Sequence, residues 1–317
     1  MSHAPRILIT GANGQIGTEL AIYLTRHYGD DAVITSDLDP PGRESKLHHE
    51  ILDVTNASAL ATVVRRHRIT QIYHLAAALS AAGEKRPMWA WDLNITGLLN
   101  VLELARQERL NRVFWPSSIA AFGPNTPTVD TPQITIMDPT TVYGISKLAG
   151  ERLCAWYHAK YGVDVRSLRY PGLISWKTPP GGGVTDYAVE IFHAAMKDGC
   201  YTCFLRENQA LPMMYMPDAL RATLYLMNAP VGAIRQRGSY NLAGISLTPA
   251  QIAASIRRRL PSFRMDYMPD SRQAIAASWP QCINDRESQS DWGWAQQYDL
   301  DSMVDNMLDN LGRVWSQ

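Results

Sequence analysis

The strongest constraint on the fold of this chain is a set of three glycines, each three residues after the last, that follows a short apolar run. Residues 7–9 (ILI) precede Gly11, Gly14 and Gly17, and apolar residues at helical spacing come after them. Glycines at this spacing allow a tight turn, a close backbone approach and close packing of a helix on a strand. The start of that helix favours an anion. The motif predicts a strand–turn–helix unit that binds a pyrophosphate; a glycine-rich turn without a ligand is the alternative.

Short β-rich runs alternate with helical stretches through the first half of the chain. We predict strands at 6–10, 33–36, 47–51, 71–75, 112–116 and 165–169, and clear helices at 96–108 and 141–161. This alternation is typical of a parallel sheet with crossover helices. Breaker-rich sequence begins after Pro171. The predicted fold is therefore α/β: a Rossmann-type doubly wound parallel sheet at 1–171, then at 172–317 a smaller substrate-binding lobe with some segments returning to the sheet.

The composition of the chain excludes several classes of partner. The 317 residues include 30 basic and 30 acidic side chains, so no charge imbalance suggests a nucleic acid or a membrane surface. No apolar stretch reaches the roughly 18–20 residues that span a bilayer. The first predicted strand begins too early to leave room for a signal peptide. We therefore expect a cytoplasmic protein.

The cysteines give little evidence for a metal site. Cys200 and Cys203 form a C-x-x-C pair, which zinc and redox proteins use. A structural zinc site needs four ligands with paired spacing, and Cys154 and Cys282 each stand alone. Aromatic and β-branched neighbours of the pair predict a strand instead. We expect four reduced thiols and no metal.

Several residues after the glycines are suited to the rest of a dinucleotide. Asp37 ends the second predicted strand about twenty residues after the last glycine, where a carboxylate accepts hydrogen bonds from the ribose hydroxyls. A carboxylate there repels a ribose phosphate and favours NAD over NADP, although Arg43 leaves the alternative open. Asp53 and Val54 are predicted at the adenine edge. Further candidates follow the fourth predicted strand, where small residues would let the cofactor approach: Leu75, Ala76 and Ala77. Ordinary packing explains the residues after Asp37 equally well.

A second motif supplies the chemistry of alcohol oxidation. Tyr143 and Lys147 are four residues apart, so they share one face of a helix. A free phenol, with a pKa of about 10, is a poor base at neutral pH, and a nearby ammonium or a nicotinamide cation lowers that pKa. Ser118 ends the fifth predicted strand, at the edge where open α/β sheets bind ligands. A surface Tyr–Lys pair and a turn-capping serine are the alternatives.

Together these motifs resemble a known superfamily. The glycine motif (including Gln15 and Ile16), the Leu-Ala-Ala segment, Asn94, Ser118, the Tyr–Lys pair and 168–171 (LRYP) resemble the extended short-chain dehydrogenase/reductases, relatives of UDP-galactose 4-epimerase. Within that group the chain is similar to the short-chain type of L-threonine 3-dehydrogenase. The matching segments are 79–84 (LSAAGE), 180–188 (PGGGVTDYA), 211–218 (LPMMYMPD), 278–280 (SWP) and 291–294 (DWGW).

The resemblance implies NAD-dependent oxidation of L-threonine at its β-hydroxyl to 2-amino-3-oxobutanoate. Tyr143 would be the base, Lys147 would assist it, and Ser118 would orient the hydroxyl. The implied substrate contacts are Ser80, Ser118, Tyr143, Thr185 and Trp279. Asn94, Tyr170 and Pro171 join the implied cofactor contacts, and a homodimer through helices 96–108 and 141–161 is expected.

The chain departs from the family at three positions. Val184 stands where the family loop usually has the first of two threonines, while Pro116 and Phe122 replace a common serine and tyrosine. None of these changes removes a group that the reaction requires.

Two other functions remain open on the sequence. A nucleotide-sugar epimerase or dehydratase of the same superfamily would need basic residues for a second pyrophosphate, and no convincing cluster is present. A non-catalytic NAD-sensing protein would not need to retain Tyr143, Lys147 and Ser118.

Overall fold

Six parallel strands form the central sheet, in the order β3-β2-β1-β4-β5-β7. The computed structural model describes residues 4–42, 46–178 and 183–315. The strands of this sheet are β1 Ile7–Thr10, β2 Val33–Asp37, β3 His48–Ile51, β4 Gln71–His74, β5 Arg112–Phe114 and β7 Val165–Arg166. The order reverses between β1 and β4, which creates the crevice where such sheets bind ligands. The predicted doubly wound α/β fold is confirmed.

Helices cross between these strands and cover the sheet. They are α1 Gln15–Tyr28, α2 Ala57–Arg66, α3 Ser80–Lys85, α4 Pro87–Trp91, α5 Gly97–Gln107 and α6 Val142–Tyr161. A π-helical stretch, Asp92–Thr96, joins α4 to α5 without a break. The sequence predicted only the second half of this helical run, from residue 96. The run begins at Pro87, which suits the first turn of a helix because its missing N–H needs no partner there.

The apolar strand residues and helix faces meet in one core. Leu8, Ile72 and Val113 of adjacent strands are fully buried, as are Leu98 and Leu102 of α5. Full burial of each such side chain contributes roughly 1.5–3 kcal/mol. The apolar face of α5 is therefore occupied within this core.

Two predicted strands differ from those observed. The run at 165–169 divides into β7 and β8 Leu168–Tyr170, and residues 117–118 leave the fifth strand to form β6 Ser117–Ser118. β6 and β8 join β12 Tyr240–Asn241 in a separate three-stranded sheet. Pro116 lies between β5 and β6, and proline cannot donate a ladder hydrogen bond, which accounts for the break.

Packing divides the chain into two units. The first runs to Ala121 and adds Thr140–Arg169 and Thr223–Tyr240, while the second holds Phe122–Pro139, Tyr170–Ala222 and the chain from Asn241 onward. In this division by packing, residues 122–139 belong to the second unit and residues 223–240 to the first. The division into domains at residue 171 stays a prediction. Other elements are β9 Gly172–Ile174, α7 Tyr187–Lys197, β10 Cys200–Cys203, β11 Leu211–Tyr215, α8 Met216–Asn228, β13 Ile245–Leu247, α9 Pro249–Arg259, β14 Arg264–Tyr267, α10 Arg272–Ala277, α11 Arg286–Trp292 and α12 Leu300–Trp315.

The strand predicted around the C-x-x-C pair is confirmed. Cys200 and Cys203 lie in strand β10, and all four cysteines are free thiols. Thr248 caps α9, with Pro249 as its first residue and Gln251 completing a capping box. Among the described residues, no helix combines the length and apolar character needed to cross a bilayer.

Candidate active site

The glycine loop connects β1 to α1 in a shape that only glycine allows at two positions. Gly11 has a φ of +70°, and a Cβ there would lie 2.5 Å from the backbone nitrogen of Ala76. A Cβ on Gly17 would lie 2.4 Å from the carbonyl oxygen of Gly11. Gly14 is the N-cap of α1, and it has no side chain that could cap the first N–H groups of the helix. The first N–H groups of α1, at Gln15 and after it, are thus available to an anion such as a pyrophosphate.

Asp37 lies beside this loop, as the ribose prediction requires. One of its carboxylate oxygens accepts from the backbone N–H of Asn13 at 2.9 Å, and the other accepts from Leu38 at 2.8 Å. The side chain remains partly exposed. Lone pairs on both oxygens are left to accept hydroxyl groups. Arg43, which left the choice of cofactor open, lies outside the described residues.

The predicted adenine contacts have different surroundings. Asp53 is exposed, and its carboxylate accepts from the backbone N–H and hydroxyl of Thr55 at 2.9 and 2.7 Å. Val54 is buried, and its carbonyl accepts from the Asn100 side chain at 3.0 Å. Asp53 therefore shapes a turn, and its contact with adenine remains a prediction.

Leu75, Ala76 and Ala77 follow β4 and are all partly exposed. The segment is anchored through the buried Asn94, whose side-chain oxygen accepts from the backbone N–H of Ala78 at 2.7 Å. The amide nitrogen of Asn94 donates to the carbonyl of Ala78 and to the Ser146 hydroxyl on α6. Asn94 thus links the strand end that approaches the glycine loop to the helix that carries Tyr143.

The structure brings the three predicted catalytic residues together. Ser118 of β6 makes a side-chain hydrogen bond with the Tyr143 phenol. Lys147, one turn further along α6, is buried and donates to the carbonyl of Pro116 at 2.7 Å. Its ammonium lies 5.4 Å from the centre of the Tyr143 ring and 4.6 Å from that of Trp115. The group has the composition that proton abstraction from an alcohol needs.

The electrostatics of this group differ from the prediction. Burial raises the pKa of Tyr143 to about 12, and the hydrogen bond with Ser118 only partly opposes that rise. Burial also lowers the pKa of Lys147 to about 7, against the opposing effects of Cys154 and Glu151. The sequence predicted that the ammonium would bring the phenol below its ordinary pKa. That is wrong for the protein without cofactor, because desolvation disfavours both charged forms.

A buried ion pair that the sequence reasoning missed supports the catalytic helix. Arg169 donates to the two carboxylate oxygens of Glu151 at 2.9 and 2.8 Å, and the Ser117 hydroxyl donates to the same carboxylate at 2.6 Å. We call Ser117, Glu151 and Arg169 the Glu151 cluster. It joins α6 to the strand residue next to Ser118. Its sequence signal was present, since Glu151 follows Lys147 by four residues and so shares its helical face.

A second missed residue is His74, at the end of β4. Its Nδ1 is 2.7 Å from the Thr10 hydroxyl, while its buried Nε2 has no partner among the described residues. Burial, with a smaller effect of the Lys147 charge, lowers the pKa of His74 to about 3. The imidazole is therefore neutral, and it fills space beside Gly97.

In the second unit, Thr185 packs against the segment predicted to contact the nicotinamide. Tyr170 and Pro171 are buried and lead directly into Gly172. A Cβ on Gly172 would lie 2.6 Å from the Cγ2 of Thr185. The N-cap of α7 is Asp186, so Thr185 is not the plain N-cap that was the alternative. The nearby Val184 is buried, as an apolar side chain should be.

The remaining predicted substrate contacts lie in both units. Ser80 begins α3 in the first unit and is partly exposed. Trp279 follows α10 in the second unit and is 7% exposed. Glu84 of α3, another residue that sequence reasoning missed, accepts from the backbone N–H of Val142 at 2.8 Å. It thereby holds the first turn of α6, next to Tyr143.

Comparison with known proteins shows the family of this chain. Residues 7–243 match the NAD dependent epimerase/dehydratase family. A relative called an uncharacterized epimerase/dehydratase, from Staphylococcus haemolyticus, is 48% identical over 96% of each chain. A GalE-like L-threonine dehydrogenase from Cupriavidus necator, in its holo form, is 66% identical with a TM-score of 0.95, covering 97% of this chain and 100% of that one. A monomeric L-threonine 3-dehydrogenase from a metagenome is 46% identical with a TM-score of 0.94, covering 97% and 99%.

Fold and site together define an NAD-dependent member of the extended short-chain dehydrogenase/reductases. The chain belongs to the NAD dependent epimerase/dehydratase family. Its cofactor is NAD, and the glycine loop and Asp37 fit that molecule: no side chain among the described residues caps the first N–H groups of α1, and the Asp37 carboxylate lies beside the loop.

Proposed function

We propose that this chain oxidises L-threonine at its β-hydroxyl, with NAD as oxidant, to 2-amino-3-oxobutanoate. The observation that carries the proposal is the hydrogen bond between Ser118 and Tyr143 with Lys147 one turn away. The 66% identity to the L-threonine dehydrogenase of Cupriavidus necator supports the choice of substrate.

In the proposed reaction Tyr143 removes the proton of the β-hydroxyl. Ser118, which already contacts the phenol, orients that hydroxyl. NAD, when bound, would supply the acceptor for the hydride of the β-carbon and a positive charge that favours the phenolate. Lys147 would hold the nicotinamide ribose, and its ammonium lies 5.4 Å from the centre of the Tyr143 ring. The rigid neighbours of Lys147, above all the Pro116 carbonyl, limit where its ammonium can lie.

Cofactor binding is assigned to residues around the end of the central sheet and after β8. Gly11, Gly14, Gln15, Ile16 and Gly17 would hold the pyrophosphate, and Asp37 the adenosine ribose. The other proposed cofactor contacts are Asp53, Val54, Leu75, Ala76, Ala77, Asn94, Tyr143, Lys147, Tyr170 and Pro171.

Substrate recognition is assigned to Ser80, Thr185 and Trp279 together with Ser118 and Tyr143. An amino acid carboxylate needs hydrogen-bond donors, and the hydroxyl of Thr185 is a donor that is not used to cap α7. We expect Thr185→Val to raise the KM for L-threonine about tenfold, since a hydrogen bond to a charged group contributes roughly 1.5–3 kcal/mol. Thr185→Ser, which keeps the hydroxyl, is the matched control. Equal KM values for the two variants would remove Thr185 from the carboxylate.

We also propose a homodimer through α6, one of the two helices expected from the sequence, together with α4. Exposed apolar side chains concentrate on α4 and α6: Met88, Trp89, Trp91, Ile145, Trp156 and Tyr161. Such residues on a soluble enzyme indicate an interface. One similar protein is monomeric, so the molar mass of this protein in solution has to be measured to test the dimer. A monomer at working concentration would refute the dimer.

The proposed reaction is tested by NADH formation from NAD with a panel of purified substrates. L-threonine, D-threonine, L-allo-threonine, L-serine, 3-hydroxybutyrate and UDP-glucose separate the proposed activity from its alternatives. Turnover with L-threonine alone is the expected result. Silence with L-threonine and conversion of a nucleotide sugar would replace the proposal by an epimerase or dehydratase.

A further inference from the structure

A cluster of metal-ligating side chains lies apart from the catalytic residues, toward the amino end of edge strand β3. His48 and Glu50 are two residues apart, so both point to the same side of the strand. His67, the C-cap of α2, reaches the same point. The ligating atoms of all three residues lie within 4.8 Å of one another.

The histidine between them is oriented differently. His49 is adjacent to both strand ligands, but its two ring nitrogens contact the Thr35 hydroxyl and the Asp39 carbonyl, each at 3.0 Å. The convergence of His48 and His67 on Glu50 is therefore a feature of one side of β3. It is not a general consequence of a histidine-rich strand.

We propose that His48, Glu50 and His67 form a binding site for a divalent transition metal, with zinc as the best match. Two imidazoles and one carboxylate suit zinc, copper and nickel and do not suit magnesium or calcium. A water molecule would complete a tetrahedral shell.

The distances need little change to accept the metal. Ligand atoms about 2.0–2.1 Å from a tetrahedral zinc ion lie about 3.3 Å from one another. The Nε2 of His48 is 3.3 Å from Glu50 Oε1, and the Nε2 of His67 is 2.6 Å from the same oxygen. The second distance must lengthen by less than an ångström, and the ligand atoms of His48 and His67, which lie within 4.8 Å of each other, must come to about the same separation. The rings of His48 and His67 are neighbours, tilted by 57°, with their centres 4.6 Å apart.

The charges around the cluster are mixed, and one of them competes with a metal. The exposed guanidinium of Arg66 lies 3.1 and 3.3 Å from the two oxygens of Glu50. A carboxylate has about four acceptor positions, so Oε2 can keep Arg66 while Oε1 takes the metal. His48 and His67 also line a surface hollow of about 500 Å³, whose other charged residues are Asp30 and Asp31 and, with the opposite sign, Arg6 and Lys46.

This metal would brace the edge of the sheet and would take no part in the oxidation. It would connect β3 to the end of α2, two elements that are also joined by side-chain contacts such as that of Arg66 with Glu50. β3 is four strand positions from β5, or about 19 Å at the usual spacing of parallel strands. Metal binding is therefore independent of the proposed substrate.

The test is zinc titration of the untagged, NAD-loaded protein against a chromophoric chelator. All samples carry Cys200→Ser, because an exposed thiol is itself a zinc ligand. We expect one zinc per chain with micromolar affinity, weakened more than about tenfold by His48→Ala and by His67→Ala. His27→Ala, which removes an exposed histidine of α1, is the control and should leave the affinity unchanged.

Thermal unfolding gives a second readout that does not use turnover. Zinc should raise the thermal unfolding midpoint of the Cys200→Ser protein, whereas magnesium should not. Zinc should leave the unfolding midpoint of the His48→Ala variant unchanged. His48 is the safer variant because 58% of its side chain is exposed, so its loss should not disturb folding. The absence of micromolar zinc binding, or equal binding by His48→Ala, His67→Ala and the control, would overturn the proposal.

Discussion

The glycine loop after β1 and the polar residues around α6 are held by different forces. The loop is shaped by steric limits on the backbone: Gly11 has a positive φ, and no side chain fits between it and Ala76. The residues around α6 are held by buried charges: Lys147 donates to the Pro116 carbonyl, and Glu151 pairs with Arg169. A steric requirement is local, whereas a buried charge needs a partner from elsewhere in the fold.

This difference has consequences for substitution. A change at Gly11 should displace the loop and the backbone at Ala76, and with them the local approach of the cofactor. A change in the Glu151 cluster should affect the stability of the whole unit, because an uncompensated buried charge is costly. Variants can separate the two effects.

Tyr143→Phe tests the chemical end of α6. Removing the phenol should lower kcat by about 10³-fold, since a positioned general base contributes about 10²–10⁴-fold. NAD affinity, measured by calorimetry, should change little. Tyr161→Phe removes an exposed phenol from the same helix and is the control. Near-normal turnover of Tyr143→Phe would show that another group is the base.

Glu151→Gln tests whether α6 depends on buried charge. Arg169 would lose its anionic partner in a site where both side chains are at most 5% exposed, and we expect a loss of about 3 kcal/mol in the free energy of unfolding. Glu103→Gln interrupts an exposed pair with Arg106 and should cost no more than about 1 kcal/mol. Denaturant titration measures both values. Similar losses in the free energy of unfolding would show that burial does not determine how much an ion pair contributes to stability.

Gly11→Ala tests the steric origin of the glycine loop. The added methyl would meet the backbone of Ala76, so we expect NAD to bind at least about tenfold more weakly. Gly162→Ala is a matched control, because Gly162 has a φ of +71° with open space around it. It should cost about 1 kcal/mol of stability and leave NAD affinity unaltered. Equal NAD affinity in both variants would assign the loop another role.

Asp37→Ala tests the predicted contact of the Asp37 carboxylate with the adenosine ribose. Loss of the carboxylate should weaken NAD binding about tenfold and reduce the difference between the affinities for NAD and NADP. Asp39→Ala, in the same exposed stretch, should leave that ratio unchanged. An unaltered preference in Asp37→Ala would exclude the ribose contact.

The sequence predicted what depends on local pattern and missed what depends on partners. The glycine turn, the strands of the central sheet and the face shared by Tyr143 and Lys147 follow from backbone geometry and helical spacing, so they could be read directly. The Glu151 cluster joins residues up to 52 positions apart, and spacing alone does not reveal such contacts.

Burial explains the clearest failure. The expected lowering of the Tyr143 pKa rested on the nearby ammonium, but the structure shows that desolvation dominates at both residues. Leu98 and Leu102 of α5 are likewise enclosed in the core, and the part that α5 would take in a dimer stays a prediction. Whether an apolar or charged side chain is covered depends on the tertiary fold and not on its own segment.

The most direct test of the proposed reaction is deuterium transfer from L-threonine labelled at its β-carbon. The protein is incubated with the labelled substrate and NAD, and the reduced cofactor is analysed by mass spectrometry. One deuterium in each reduced cofactor, with 2-amino-3-oxobutanoate or its decarboxylation product formed in equal amount, is the predicted result. Reduced cofactor without deuterium, or no reduction at all, would contradict oxidation at the β-hydroxyl.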